Sequence, residues 1–255
     1  MAQLSVVIIA LNEAANLGAC LAAAAPVAEE LLVADTGSTD ETCHIAEAHG
    51  ARVCQLPWEG FAATKNRANA LAAHDWILSL DADEVLSAEL QAAIQAEKAR
   101  LPASGELAGE FNRLTNYAGH WVRHSGWYPD WKPRLFHRAQ AHWAGAYVHE
   151  QLRLAPGVER RRLPGLCYHY SVHSRADHRR RVARYAELRA RELHAAGTPP
   201  ARHRQWLKPP IAFLRHYLWR GGFRDGRAGW NIARFSAYSR WLREQRLREL
   251  WEATS

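Results

Sequence analysis

The chain has 255 residues, 48% of them hydrophobic. That supports one large α/β domain, or a domain with a substantial appendage, and excludes global disorder. Its four scattered cysteines form no CxxC and read as reduced thiols, without a disulfide framework or a zinc site. The net charge of +7 is uneven: residues 1–100 carry −9, residues 101–174 carry +4 and residues 175–250 carry +13. An acidic first half thus precedes an arginine-rich tail, which suits a polyanionic partner.

The opening Met1-Ala2-Gln3 runs directly into a strand-like segment, with no basic region and separate apolar core of a signal peptide. No apolar run approaches the ~20 residues of a spanning helix. These features lead to the expectation of a cytoplasmic protein. Leu4 to Ala10 is a β-branched run and reads as the first strand. It ends at Leu11-Asn12-Glu13, and an alanine-rich helix is expected from Ala14 to Ala25, stopped by Pro26. Glu30 to Ala34 is the second strand, closing on Asp35. Thr36 to Thr42 supplies a glycine turn and a capped helix to about His49. Ala51 to Leu56 is the third strand, and Phe61 to Ala73 is a helix carrying Lys65 and Arg67.

The fourth strand, Trp76-Ile77-Leu78-Ser79-Leu80, delivers Asp81-Ala82-Asp83-Glu84. Residues alternate along an extended chain, so Asp81 and Asp83 can share one side, where a divalent cation with a phosphate ligand would relieve their repulsion. The alternative is a solvated turn into a helix capped by Ser87. Strand and helix alternate four times, which predicts a mainly parallel sheet with helices on both faces. Ligands of such sheets lie beyond the carboxyl ends of the strands, where Glu13, Asp35, Asp81 and Asp83 fall. No GxGxxG or GxxxxGK[ST] occurs, which disfavours dinucleotide and P-loop readings. Asp35 either meets a nucleotide base or ribose hydroxyl, or serves helix capping through its neighbours.

Together, Val6 to Glu13, Ala34 to Thr42 and Leu80 to Glu84 resemble the motifs of a family 2 glycosyltransferase, over about the first 90 residues. The resemblance implies a GT-A fold, a nucleotide-diphosphate sugar donor and a DxD metal motif at Asp81-Ala82-Asp83 that holds Mn²⁺ or Mg²⁺. It also implies that Glu13 and Asp35 contact the nucleotide with help from Lys65.

Residues 101–174 lose the strand–helix rhythm and offer short β-like pieces rich in aromatics and histidine: 111–114, 126–131, 134–138, 146–150 and 167–173. Arg134 and Arg138 read as bidentate phosphate ligands or as surface arginines. An inverting transfer needs a general base, and two carboxylates qualify, Asp130 and Glu150. Trp127-Tyr128-Pro129-Asp130, Arg134-Leu135-Phe136 and Val148-His149-Glu150 resemble the bacterial lipopolysaccharide inner-core β-glucosyltransferase subgroup. That likeness implies Glu150 as the base, with Asp130 as runner-up, and glucose transfer, with UDP-glucose as donor, to a core heptose. His169 either completes the metal shell or is a hydrogen-bonded structural histidine.

The expected division is a catalytic domain over 1–174 and a basic, aromatic-rich helical region over 175–255. Arg175 to about Gly197 reads as a helix broken by Pro199-Pro200. Pro209-Pro210, Gly221-Gly222 and Gly226 are expected to interrupt the helical stretch from Trp206 to Trp251. Basic faces with Trp and Leu opposite have the composition of helices lying in a membrane interface. The expectation is peripheral attachment to the inner face of the inner membrane, with packing on the core or a homo-oligomer contact as alternatives. A capsule, exopolysaccharide or protein acceptor is the rival within the enzyme class. Nucleic acid is not the expected partner, because binding it gives no reason for acids at successive strand ends.

Overall fold

Residues 2–145 and 150–253 are described by the structure, a computed structural model. Four apolar segments form parallel neighbours in the order β3-β2-β1-β4: β1 (Leu4–Ala10), β2 (Glu30–Asp35), β3 (Arg52–Gln55) and β4 (Trp76–Asp81). Alternation along β1 sorts its side chains between two cores. Leu4, Val6, Ile8 and Ala10 meet α1 (Leu17–Ala24) and α4 (Ala88–Lys98) through Leu17, Leu21, Leu90 and Ile94. Val7, with Leu32 and Ile77, faces the opposite core, reached by Ala68 of α3 (Phe61–Leu71). A further helix, α2 (Thr42–Ala48), contributes Ala46 to the first core.

The parallel half continues into further strands: β5 (Glu84–Leu86), β6 (Leu107–Tyr117), β7 (His120–Trp121), β8 (Trp131–His137) and β11 (Glu159–Val172). The order runs on as β4-β8-β6-β11-β5, with β8 antiparallel to both β4 and β6. A separate hairpin pairs β9 (Ala141–Ala144) with β10 (Gln151–Leu154). Trp143 and Leu152 of that hairpin close the second core.

The four expected parallel strands form within a residue or two of their sequence bounds. The first helix starts at Leu17 instead of Ala14, because side chains of the next loop hold the chain before it. Asn12 N donates to Ser38 Oγ at 2.8 Å, Glu13 N to Thr42 Oγ1 at 2.8 Å and Ala14 N to Asp40 Oδ2 at 3.2 Å. The expected piece at 111–114 lies inside a strand of 11 residues, and the piece at 167–173 covers the end of a strand of 14 that stops at Val172. Residues 146–149 lie outside the described residues, including His149 of the expected element ending at Glu150.

The chain forms two compact units. The first is residues 1–113 and 130–170, and the second is residues 114–129 and 171–255. In the second unit, α5 (Arg175–Ala195) and α6 (Arg202–Leu214) pack on α7 (Gly226–Glu252). Tyr117, Val122, Val172, Ala228 and Ile232 form its buried cluster. Gly229 is obligatory there, since a Cβ on it would stand 1.8 Å from the Gly222 carbonyl oxygen. The Asp225 carboxylate accepts from Arg123 N at 3.1 Å, His124 N at 3.0 Å and Ser125 Oγ at 3.2 Å, which pins the 123–125 turn. Pro209 and Pro210 do not interrupt α6 but lie inside it. Packing against α7 outweighs the amide donors they lack.

Candidate active site

Strand register brings the carboxylates to one edge of the parallel sheet. Ile9 pairs with Asp81 on one side of β1, and Ala10 pairs with Asp35 on the other. The loops after β1 and β2 are laced together here. Besides the bonds that delay α1, Thr39 N donates to Asn12 Oδ1 at 2.8 Å. Asn12 adopts a positive φ of 55°, a conformation that Asn tolerates better than most residues.

Asp35 is almost fully buried, and its own turn occupies it. Oδ2 accepts from Gly37 N at 3.0 Å and Ser38 N at 2.9 Å, and Oδ1 accepts from Ser38 Oγ. Burial favours the neutral acid, but these donors prevail and hold Asp35 below the usual carboxylate range. Glu13 accepts from Asn16 Nδ2 at 2.8 Å. Both residues therefore fix the loops that frame this edge.

Asp81 is the hub of a charged network. Lys65 Nζ donates to its Oδ1 at 2.7 Å, and Arg134 Nη2 donates to its Oδ2 at 2.8 Å. Arg113 Nη1 stands 3.9 Å away. Burial opposes ionisation of Asp81, but Lys65, Arg134 and Arg113 outweigh it and hold the carboxyl well below its ordinary value. The fully buried Glu84 bridges the same cations, with Arg134 at 3.0 Å and Arg113 at 3.1 Å, and accepts from Asp81 N at 3.0 Å. Arg134 is held above its ordinary value despite burial, because Glu84 and Asp81 face it. Trp143 lies under this group, its ring centroid 4.4 Å from Lys65 Nζ and 5.4 Å from the Arg134 guanidinium carbon. The Trp143 backbone is fixed by Asn66, whose Oδ1 accepts from Trp143 N at 2.8 Å and whose Nδ2 donates to Trp143 O at 2.9 Å.

A cleft of about 560 Å³ opens beside this network, lined by Asp81, Arg113, Arg134, Trp143 and Glu150 among others. Glu150 Oε1 is 3.7 Å from Lys65 Nζ, so one lysine touches both Asp81 and Glu150. Asp130 is more heavily engaged. Arg113 Nη2 and Lys132 Nζ each stand 2.9 Å from its carboxylate, and Asn112 Oδ1 accepts from its N–H at 2.8 Å. Burial notwithstanding, Arg113 and Lys132 hold Asp130 below the normal range, which makes it a weak proton acceptor.

Asp83 faces a different partner. Its Oδ2 is 3.4 Å from His169 Nε2, and Tyr170 N donates to its carbonyl at 2.9 Å. A carboxylate oxygen and an imidazole nitrogen side by side suit Mn²⁺ better than Mg²⁺, which prefers oxygen throughout. Asp81 could join such a shell only by giving up a cationic partner. Among the described residues no three His, Cys, Asp or Glu side chains form a ready metal cluster. Cys20 and Cys167 do not act as nucleophiles, because burial, then Glu84, pushes both thiols far up. Arg138 pairs with Asp75 at 2.7 Å.

Sequence reasoning did not single out Arg113, Glu84, Asn66 or Trp143 as site residues. Glu84 adjoins Asp83 and Asn66 adjoins Lys65, but nothing local marks either. Arg113 and Trp143 join the site only through strand pairing and the hairpin. A larger cavity of about 880 Å³ between α5 and α7 is lined by Arg175, Arg179, Arg180 and Arg234 with Tyr238, and its described lining includes no carboxylate, histidine or cysteine.

The family model described as "Glycosyl transferase family 2" matches residues 5–149. An uncharacterised glycosyltransferase of Rickettsia typhi is 30% identical, over 98% of this chain and 88% of its own. The lipopolysaccharide core biosynthesis glycosyltransferase LpsC of Rhizobium meliloti is 28% identical, over 89% of this chain and 84% of its own. Among solved structures, glucosyl-3-phosphoglycerate synthase of Mycobacterium tuberculosis is 26% identical with a TM-score of 0.36. That match covers 45% of this chain and 44% of that one, so less than half of the solved chain is represented.

Proposed function

The chain belongs to glycosyltransferase family 2 and has its α/β GT-A fold, and from that premise we propose that it is an inverting, metal-assisted hexosyltransferase acting on a lipopolysaccharide-core acceptor. The observation that carries the mechanism is the shared lysine: Lys65 Nζ lies 2.7 Å from Asp81 and 3.7 Å from Glu150, on the rim of one cleft. The carboxylate of the donor motif and the candidate base are therefore neighbours. The core acceptor is supported by the likeness to LpsC over most of both chains. UDP-glucose as donor is supported by the motif resemblance alone.

In the proposed reaction, Glu150 takes the proton from an acceptor hydroxyl. The freed oxygen attacks the anomeric carbon from the face opposite the diphosphate. The bond from that carbon to the diphosphate oxygen breaks, and the nucleoside diphosphate leaves with the electron pair. One C–O bond forms, one breaks, the configuration inverts and the proton stays on Glu150. Lys65 Nζ, 3.7 Å from Glu150 Oε1, positions that carboxylate on the cleft rim. Arg134 and Glu84 keep Asp81 in place at the strand end, and Trp143 supports Lys65 and Arg134 from below. Asp83 and His169 would hold a divalent cation, which when bound supplies positive charge to the departing diphosphate.

The test is a screen of nucleotide sugars for donor hydrolysis with Mn²⁺ and Mg²⁺, followed by transfer to truncated lipopolysaccharide. The expected outcome is Mn²⁺-supported release of UDP from UDP-glucose and glucose transfer to the truncated core. If no nucleotide sugar is bound or hydrolysed with either cation, the proposal falls. If hydrolysis occurs and the core is ignored, only the acceptor is wrong.

A further inference from the structure

Apolar side chains are unevenly exposed along the chain. Eight of the thirteen large ones exposed among the described residues fall between positions 206 and 230. Along α6 and the π-helical turn that continues it (Arg215–Trp219), the pattern is regular. Gln205 is buried, and Pro209, Ala212, Phe213, His216 and Tyr217 are half-buried. Trp206, Leu207, Ile211, Leu214, Leu218 and Trp219 all point to solvent, with Trp206 68% and Trp219 73% exposed. An apolar stripe at helical spacing on the open side of a helix lacks, among the described residues, the partner that such a stripe ordinarily has. The helix is held from behind, because Phe213 and Tyr217 pack edge-on against Trp230 of α7, with centroids 5.1 and 5.4 Å away.

Charge identifies the occupant. Residues 201–224 contain six Arg or Lys and no Asp or Glu. Lys208 and Arg215 are exposed beside the apolar stripe. A second copy of this chain would bring the same positive charge against itself. No helix among the described residues is long and apolar enough to cross a membrane. Exposed tryptophan and leucine bordered by cations is the composition of a helix lying in the headgroup region of an anionic bilayer.

We propose that the α6 face, from Trp206 to Trp219, docks the protein on an anionic phospholipid surface, with the apolar stripe entering the interface and Lys208 and Arg215 meeting headgroup phosphates. This goes beyond the transfer reaction and does not depend on donor or acceptor, so it can fail while the enzymatic reading stands.

The test is co-sedimentation of the full chain with phosphatidylglycerol-containing vesicles and with phosphatidylcholine vesicles, at low and high salt. The wild type should sediment with the anionic vesicles only, and less so as salt rises. W206E/W219E should reduce the bound fraction at least tenfold, with circular dichroism and unfolding midpoint unchanged. K208E/R215E should weaken binding and flatten its salt dependence. Should W206E/W219E fail to fold, brominated lipid provides the second readout. It should quench wild-type tryptophan fluorescence, and W219F should lose a large share of that quenching. Absence of sedimentation with anionic vesicles at low salt overturns the proposal. So does equal binding by W206E/W219E. A dimer seen by light scattering that W206E/W219E dissolves, with no vesicle binding, assigns the face to a second copy instead.

Discussion

Lys65 and Asp81 form a 2.7 Å ion pair of unequal burial: the lysine is 2% exposed and the aspartate 27%. The cation is committed to the protein interior, while the carboxylate keeps an opening toward the cleft. Removing the carboxylate charge leaves the buried ammonium only the looser Glu150 contact at 3.7 Å, and one partner of a buried pair removed costs about 3–5 kcal/mol. D81N is therefore expected to lower the unfolding free energy by about 3 kcal/mol in urea titrations. K65M should cost less stability, because Asp81 retains Arg134 and Arg113. Both variants should lose donor binding by calorimetry. If K65M is the more destabilising of the two, the network is misread.

The two candidate bases separate by kinetics. E150Q should reduce kcat at least ~100-fold, the usual scale of lost general-base assistance, with donor affinity nearly intact. D130N should reduce kcat far less, since Arg113 and Lys132 already hold Asp130 as an ion-pair partner. Near-normal turnover by E150Q would transfer the role elsewhere.

Metal dependence tests the pair beyond the strand end. D83N and H169A should each raise the Mn²⁺ concentration needed for half-maximal activity, and H169A should narrow the advantage of Mn²⁺ over Mg²⁺. The folds should survive, because Asp83 and His169 both keep some solvent exposure. An unchanged Mn²⁺ requirement in H169A would leave this imidazole with a structural role.

His178 makes a pH prediction. It is buried against Tyr117, Trp127 and Phe235, and its Nδ1 lies 3.0 Å from the Tyr117 hydroxyl. Burial, with Arg181 adding to it and Asp177 opposing, lowers its pKa from 6.5 to about 4. Between those values the unfolded chain binds a proton that the folded chain refuses. Stability therefore falls as pH drops through 6.5 toward 4, by about 3 kcal/mol in all. H178Q should remove this part of the acid sensitivity, measured as the difference between the two proteins' urea midpoints across pH 4–7. Parallel curves would show that His178 titrates normally.

The parallel half was readable because each strand is an apolar run with its own stop signal. Val6 to Ala10 and Trp76 to Leu80 need no tertiary partner to be recognised, and Ser87 caps α4 as its position suggests, accepting from Leu90 N at 3.2 Å. The antiparallel half was not readable in the same way. In β11 the stretch Glu159-Arg160-Arg161-Arg162 is charged and carries no strand signal, yet it extends the strand through Leu163 and Cys167 in the core. The site splits along the same line. Asp81, Asp83 and Lys65 sit in local motifs, whereas Trp143 and Arg113 reach Lys65 and Asp81 across 78 and 32 positions of chain, respectively. No local pattern encodes such meetings.

Residues 114–129 pack with the C-terminal helices, so the arginine-rich portion is not a detachable tail. Truncation after position 170 would strip Tyr117 and Val122 of Val172, Ala228 and Ile232, their companions in a single buried cluster. A shortened protein would carry a raw apolar scar in the middle of its chain, and its insolubility would say nothing about catalysis. Any minimal version has to be made by replacing the 114–129 excursion and the helices together.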